Sequence, residues 1–162
     1  MTKQIRVLHT SDWHLGKKLF KTNRLPEQEL FLNWLYDYIL NEKIDLLLVA
    51  GDIFDVPSPP TLAQKLFYNF IYKLGKHPEI TTIIIAGNHD SNSLLQLPQL
   101  FFESINCHIF TGLNENMNKA NHVFEKGGLK VGIKSLPYFR NFELLNMIDD
   151  SNFDESAQKE DA

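Results

Sequence analysis

Three short clusters of carboxylate, amide and imidazole side chains carry the chemistry this sequence could perform. They are Ser11-Asp12-Trp13-His14, Gly51-Asp52-Ile53-Phe54-Asp55 and Gly87-Asn88-His89-Asp90. Such oxygen and imidazole donors suit Mn²⁺, Fe²⁺ or Zn²⁺. Asp12 and His14 lie two residues apart, so in an extended segment they face the same side and can grip one ion. Asp52 follows a glycine that lets the chain turn sharply, and its two oxygens can bridge two ions. The Asn88 amide oxygen can serve the second ion, leaving His89 beside that site with a proton to give. Two metals about 3.5–4 Å apart form a clamp for in-line attack on phosphorus. Taken singly, each cluster has an ordinary explanation, since Asp-x-His arises by chance and Gly-Asp and Gly-Asn mark turns. All three in this order, each directly after an apolar run, are hard to explain as turns.

The elements that must position them read as alternating strands and helices. Strands are predicted over Ile5 to Thr10, Ile44 to Ala50 and Ile80 to Ala86, and near-continuous apolar runs of this kind fit a parallel sheet covered on both faces. Each cluster then leaves the C-terminal end of a strand, the edge where open α/β sheets bind ligands. A helix from Pro26 carries Leu30, Trp34, Tyr38 and Phe31, Leu35, Ile39 at four-residue spacing, and these aromatics are assigned to the core. A second helix from Thr61 repeats the pattern with Leu62, Leu66, Phe70, Leu74 and Ala63, Phe67, Ile71, with Thr61 as its N-cap and Gly75 as its terminator. Beyond Asn92, a helix over Leu94 to Ile105 is broken or started at Pro98. Strands follow at Cys107 to Thr111, Asn121 to Glu125 and Leu129 to Ser135, the last two joined through Gly127-Gly128. A short helix is expected over Phe142 to Ile148, and 149–162 reads as an acidic, disordered tail after one domain spanning 1–148.

Composition narrows the class. The 162 residues are 43% hydrophobic and 22% charged, as in an ordinary globular domain. The single cysteine, Cys107, excludes an internal disulfide and reads as a buried, inert thiol in a reducing, cytoplasmic setting. The N-terminus shows no signal core, and no apolar run approaches the ~20 residues of a membrane helix. The net charge of −4 is unlike that of autonomous nucleic-acid binders, so a nucleic-acid substrate would need metal ions, a local basic patch or a partner to supply positive charge. Lys17, Lys18, Lys21 and Arg24, just after the first cluster, could meet DNA phosphates or could be solvated loop charge. Trp13 is read as packing, His9 as a hydrogen-bonded core histidine, His77 as a surface turn residue, and His108 and His122 as structural.

Asp12-x-His14, Gly51-Asp52-x-x-Asp55 and Gly87-Asn88-His89-Asp90 resemble the first three signature motifs of the calcineurin-like metallophosphoesterases. The longer strings His9-Thr10-Ser11-Asp12-Trp13-His14-Leu15-Gly16, Ala50-Gly51-Asp52-Ile53-Phe54-Asp55 and Ala86-Gly87-Asn88-His89-Asp90-Ser91 resemble the SbcD-type nuclease subunits of that family, over roughly residues 4 to 140. The resemblance implies an α/β sandwich of two packed β-sheets flanked by helices, here C-terminally incomplete. It implies Asp12 and His14 as ligands of a first metal, Asp52 as the bridge, Asn88 as a ligand of the second, His89 as the catalytic histidine and Asp55 as the group that orients His89 and favours its imidazolium form. It further implies two divalent ions, Mn²⁺ foremost, and cleavage of DNA phosphodiesters, 3′–5′ on double-strand ends and endonucleolytic on single strands or hairpins. An SbcC-type SMC-like ATPase and a homodimer within a heterotetramer would be its partners.

The family completes its centre with three further histidines. After Asp90 this chain has only His108 and His122, neither in such a context, which fits a truncated product that is inactive alone. A small-molecule metallophosphatase and an inactive fragment that binds metal or a partner are the competing expectations.

Overall fold

The leucine run before Gly51 and the β-branched run before Gly87 become neighbouring parallel strands in the computed structural model, which describes residues 4–112, 120–141, 143 and 145. In chain order the elements are β1 (Val7–Thr10), β2 (Lys18–Leu19), β3 (Thr22–Asn23), α1 (Leu25–Asn41), β4 (Leu46–Ala50), α2 (Thr61–Leu74), β5 (Thr81–Ile85), α3 (Asn92–Gln96), α4 (Gln99–Ser104), β6 (Cys107–Phe110), β7 (Asn121–Lys126) and β8 (Leu129–Lys134). The order β1-β4-β5-β6 makes a four-stranded, all-parallel sheet. Successive crossovers step in one direction, and right-handed crossovers of that kind place their helices on one face.

On that face Leu47, Val49 and Ile84 join Leu32, Leu35, Ile39, Ala63, Phe67, Phe70, Ile71, Leu74 and Phe102 in one buried cluster. Alternate strand residues Leu46 and Ile83 are equally buried but point to the opposite face. There the β7–β8 ribbon covers the sheet. The ring of His122 stands 4.6 Å from that of His108, which lies in register with Ile83, and the Lys126 ammonium pairs with the Asp45 carboxylate. The Gly127-Gly128 turn holds both glycines at positive φ, 60° and 79°, as a two-residue hairpin turn requires. The chain is thus mixed α/β around a parallel sheet, and among the described residues the second sheet layer is this two-stranded ribbon.

Several expectations change. The stripe of α1 that packs inward is Gln28, Leu32, Leu35 and Ile39, whereas Leu30, Trp34 and Tyr38 are exposed. Apolar residues occupy more of this helix than one packed stripe can use. Thr61 is the first helical residue rather than the cap, because the chain enters through Pro60. Gly75 ends α2 at an ordinary φ of −62°; its small size matters because a Cβ there would stand 2.7 Å from Ile105. Pro98 splits the expected helix into α3 and α4. His9 is exposed, and His77 bonds the Tyr36 hydroxyl at 2.9 Å. Apart from residues 143 and 145, the helix expected over Phe142 to Ile148 and the acidic tail lie outside the described residues. No described helix is long and apolar enough to cross a membrane.

Candidate metal centre

The loops leaving β1 and β4 are zipped together by their backbones. The Asp12 N–H donates to the Gly51 carbonyl at 3.1 Å, His14 to Asp52 at 2.9 Å, and Leu15 to Ile53 at 2.9 Å. This lacing holds Asp12, His14 and Asp52 at φ of 55°, 45° and 50°, so the expected extended geometry at Asp12-x-His14 gives way to left-handed backbone. Left-handed conformations cost non-glycine residues roughly 1–2 kcal/mol each, and they persist where surrounding structure over-determines them, commonly at ligand sites.

The result is convergence. The His14 Nε2 lies 3.9 Å from Asp12 Oδ1 and 3.7 Å from Asp52 Oδ2, and these donor atoms form one group within 4.8 Å. Both separations are too long for hydrogen bonds. Ligands held about 2.0–2.2 Å from a shared ion stand roughly 3–4 Å apart, which is the spacing here. On the other side, His14 Nδ1 lies 3.3 Å from Asp55 Oδ1 but is misaligned, so that buried nitrogen has no hydrogen-bond partner. Three carboxylates, of Asp12, Asp52 and Asp55, thus surround one imidazole, and a divalent cation held there would offset their repulsion.

The loop after β5 completes the cluster. The His89 N–H donates to Asp52 Oδ1 at 3.2 Å, so one oxygen of Asp52 is held by backbone while the other faces His14. The His89 Nδ1 lies 2.7 Å from the Asp55 main-chain carbonyl, which can only accept, so Nδ1 carries the hydrogen and Nε2 is left open. The carbonyl of Asp55, rather than the expected carboxylate, makes this contact; the carboxylate faces His14 and, at 3.4 Å, the Lys17 ammonium. His14 and His89 meet edge to face at 5.1 Å. Asn88 is exposed between Gly87 and His89. At Gly87 there is no room for a side chain, since a Cβ would stand 2.0 Å from Asp52 Oδ1.

Two further residues lock these loops. Asp90 is buried and accepts from the backbone N–H groups of Phe54 (2.9 Å), Gly87 (2.9 Å) and Ile53 (3.1 Å), tying the second loop to the third. Burial pushes its carboxyl above the ordinary range; the three N–H donors pull the other way, and the charge of Asp52 adds to the rise. Gln28 on α1 reaches the first loop with both ends of its amide, accepting from the Gly16 N–H at 3.0 Å and donating to the His14 carbonyl at 2.8 Å. Asp90 stands inside the third cluster but had no role assigned from sequence. Gln28 carries no signal at all, because a glutamine in an amphipathic helix reads as surface.

Residues 5–161 match the family model described as calcineurin-like phosphoesterase. The chain belongs to the calcineurin-like phosphoesterase family. It is 41% identical over 91 residues to the SbcD component of the SbcCD nuclease from Escherichia coli (strain K12), covering 56% of this chain and 22% of that protein. It is 45% identical over 87 residues to the corresponding SbcD protein of Bacillus subtilis (strain 168), covering 54% and 22% respectively. With SbcD of Rhodobacter capsulatus it shares 31% identity over 148 residues, 86% of this chain and 36% of the relative. The chain therefore spans between 22% and 36% of the length of these curated relatives.

Family membership implies divalent metal, and the donor set at Asp12, His14 and Asp52 fits one. Of the basic residues singled out from sequence, Lys17 turns back to Asp55, and Arg24 is paired with Glu27 at 2.8 Å. Lys18 and Lys21 are exposed on the small hairpin formed by β2 and β3. Trp13 is packed between Phe31 and Phe70, its Nε1 donating to Thr10 at 3.0 Å.

Proposed function

We propose that this chain carries part of the catalytic centre of a metal-dependent DNA nuclease of the SbcD type. The observation that supports it most is the convergence of Asp12, His14 and Asp52 on a point where they share no hydrogen bond. In this reading Asp12 and His14 bind a first divalent ion, Asp52 bridges to a second, and Asn88 binds the second. When bound, the ions supply an activated water and charge stabilisation for in-line phosphodiester hydrolysis. His89, with Nδ1–H fixed by the Asp55 carbonyl, presents Nε2 to the departing oxygen as proton donor or transition-state contact. Asp55 positions His89 through its backbone carbonyl, and its carboxylate stands 3.3 Å from His14 Nδ1.

Mn²⁺ is the proposed metal and DNA the substrate, cut 3′–5′ at double-strand ends and endonucleolytically at single strands or hairpins. An SbcC-type ATPase is the proposed partner, by analogy with relatives named as subunits of SbcCD. A homodimer within that assembly is proposed on the same analogy. A lone, buried Cys107, its thiol pushed well up by burial, suits a cytoplasmic setting.

A second reading, a chain that binds one ion and does not cut, draws on the ligand groups found. Among the described residues the two possible ligand groups, Asp12-His14-Asp52 and His14-Asp55-His89, share His14, which favours a single ion. Calorimetric titration with Mn²⁺, together with nucleotide release from linear duplex DNA, separates the two. Two ions and nucleotide release support the nuclease; one ion and no release support the second reading; no Mn²⁺ binding by wild type overturns both. A small-molecule phosphatase would turn over a small phosphodiester while leaving duplex DNA intact.

A further inference from the structure

We propose that the β2–β3 hairpin is a base-stacking finger, with Phe20 at its apex lying on an unpaired nucleobase of the strand whose phosphate occupies the metal centre. This rests on the DNA-nuclease reading and adds to it a residue that grips the substrate strand beside the cut.

Phe20 is 96% exposed and has φ of 54°. For a bulky aromatic residue that backbone is an outlier. A turn chosen only for its own sake takes glycine or asparagine at such a position. Here an aromatic ring carries the strain of a left-handed conformation with no burial to offset it. Its neighbour Leu19 is 57% exposed, so the hairpin tip holds its apolar groups out to solvent.

The stem of the hairpin is fixed to the metal loop. Gln28 holds the Gly16 N–H at 3.0 Å, the Lys17 N–H donates to the His14 carbonyl at 3.0 Å, and the Lys17 ammonium reaches back to Asp55 at 3.4 Å. From Lys17 to Phe20 is three residues, no more than about 10 Å of strand, or roughly three stacked nucleotides. Exposed Lys18 and Lys21 flank the aromatic tip. Cations that track a phosphate backbone, with an aromatic platform between them, are the combination that binds single strands. A protein-docking surface would instead present a broader apolar patch than Leu19 and Phe20.

The test uses the full chain with Mn²⁺ and phosphorothioate-linked oligonucleotides carrying 2-aminopurine at each of the three terminal positions. Wild type should quench the fluorophore at one position on binding. Phe20→Ala should remove that quench and weaken binding about 5- to 150-fold, the range expected for one base–aromatic stack. Phe20→Trp should retain both, and Phe20→Leu should not. With an abasic site at the quenched position, wild type and Phe20→Ala should bind alike. The loss at Phe20 should also be the same at low and high salt, whereas Lys18→Ala and Lys21→Ala should flatten the salt dependence. An unchanged quench in Phe20→Ala, or an equal loss on intact and abasic strands, overturns the finger alone. If wild type binds no DNA, the finger falls together with the nuclease reading.

Discussion

The Asp90 carboxylate accepts a hydrogen bond from the Phe54 amide at 2.9 Å and so binds the loop after β5 to the loop after β4. This bond and its two companions, from Ile53 and Gly87, set the distance between Asp52 and His89 without touching either side chain. Asp90→Asn keeps the shape but turns an NH₂ group toward one of the three donors. It should lower unfolding stability by about 1–3 kcal/mol, the cost of a buried donor left unpaired, and weaken Mn²⁺ binding although no ligand is lost. Urea denaturation and calorimetry read the two effects. Unchanged metal affinity would show that the two loops hold their positions unaided.

Gln28→Met removes both amide contacts to the first loop while conserving volume. Metal affinity should fall roughly 10–100-fold, the usual effect of losing a group that orients ligands, with the helical signal intact. Gln28→Glu should be worse, since it sets a carboxylate against the His14 carbonyl. An affinity equal to wild type in both variants would mean that the lacing between the loops after β1 and β4 suffices.

Gly87→Ala places a methyl where Asp52 Oδ1 now lies. That methyl would also stand 2.4 Å from the Asp52 backbone nitrogen, so the loops themselves must shift, and Mn²⁺ binding should drop more than tenfold together with some loss of unfolding stability. Retained affinity would mean that Asp52 is not a ligand.

Burial and the neighbouring His122 hold the His108 imidazole below its ordinary value of 6.5, with Glu103 opposing. The folded state therefore takes up a proton less readily than the unfolded chain. The stability tied to neutral His108 is fully present above about pH 6.5 and is lost as pH falls through the lower folded value. The urea midpoint of wild type should drop over that window by more than that of His108→Gln, and amide exchange in Asn121–Lys126 should accelerate first. Identical pH profiles for the two proteins would dissociate His108 from the docking of the ribbon.

The sheet and the gathering of the three clusters were legible because each cluster directly follows an uninterrupted apolar run. Periodicity says little about which side of a helix meets the core when apolar residues cover most of it, hence the misplacement of Leu30, Trp34 and Tyr38. Backbone handedness at Asp12, His14 and Asp52 has only a weak sequence signal, since none is a glycine although Asp and His are enriched at positive φ. The hairpin at Lys18–Asn23 escaped because two-residue strands leave no alternation to read. Sequence reading weighs side chains, whereas His89 Nδ1–H donates to the Asp55 main-chain carbonyl.

Among the described residues, strand β1 lies at one margin of the four-stranded sheet and has only β4 as a neighbour within it. Asp12 and His14 hang from its end, whereas Asp52, Asn88 and His89 follow the interior strands β4 and β5. Peeling away that one strand would divide the proposed ligand set between a loosened segment and an intact body. A fluctuation confined to β1 and the loop after it would part Asp12 and His14 from Asp52 while the interior stays packed.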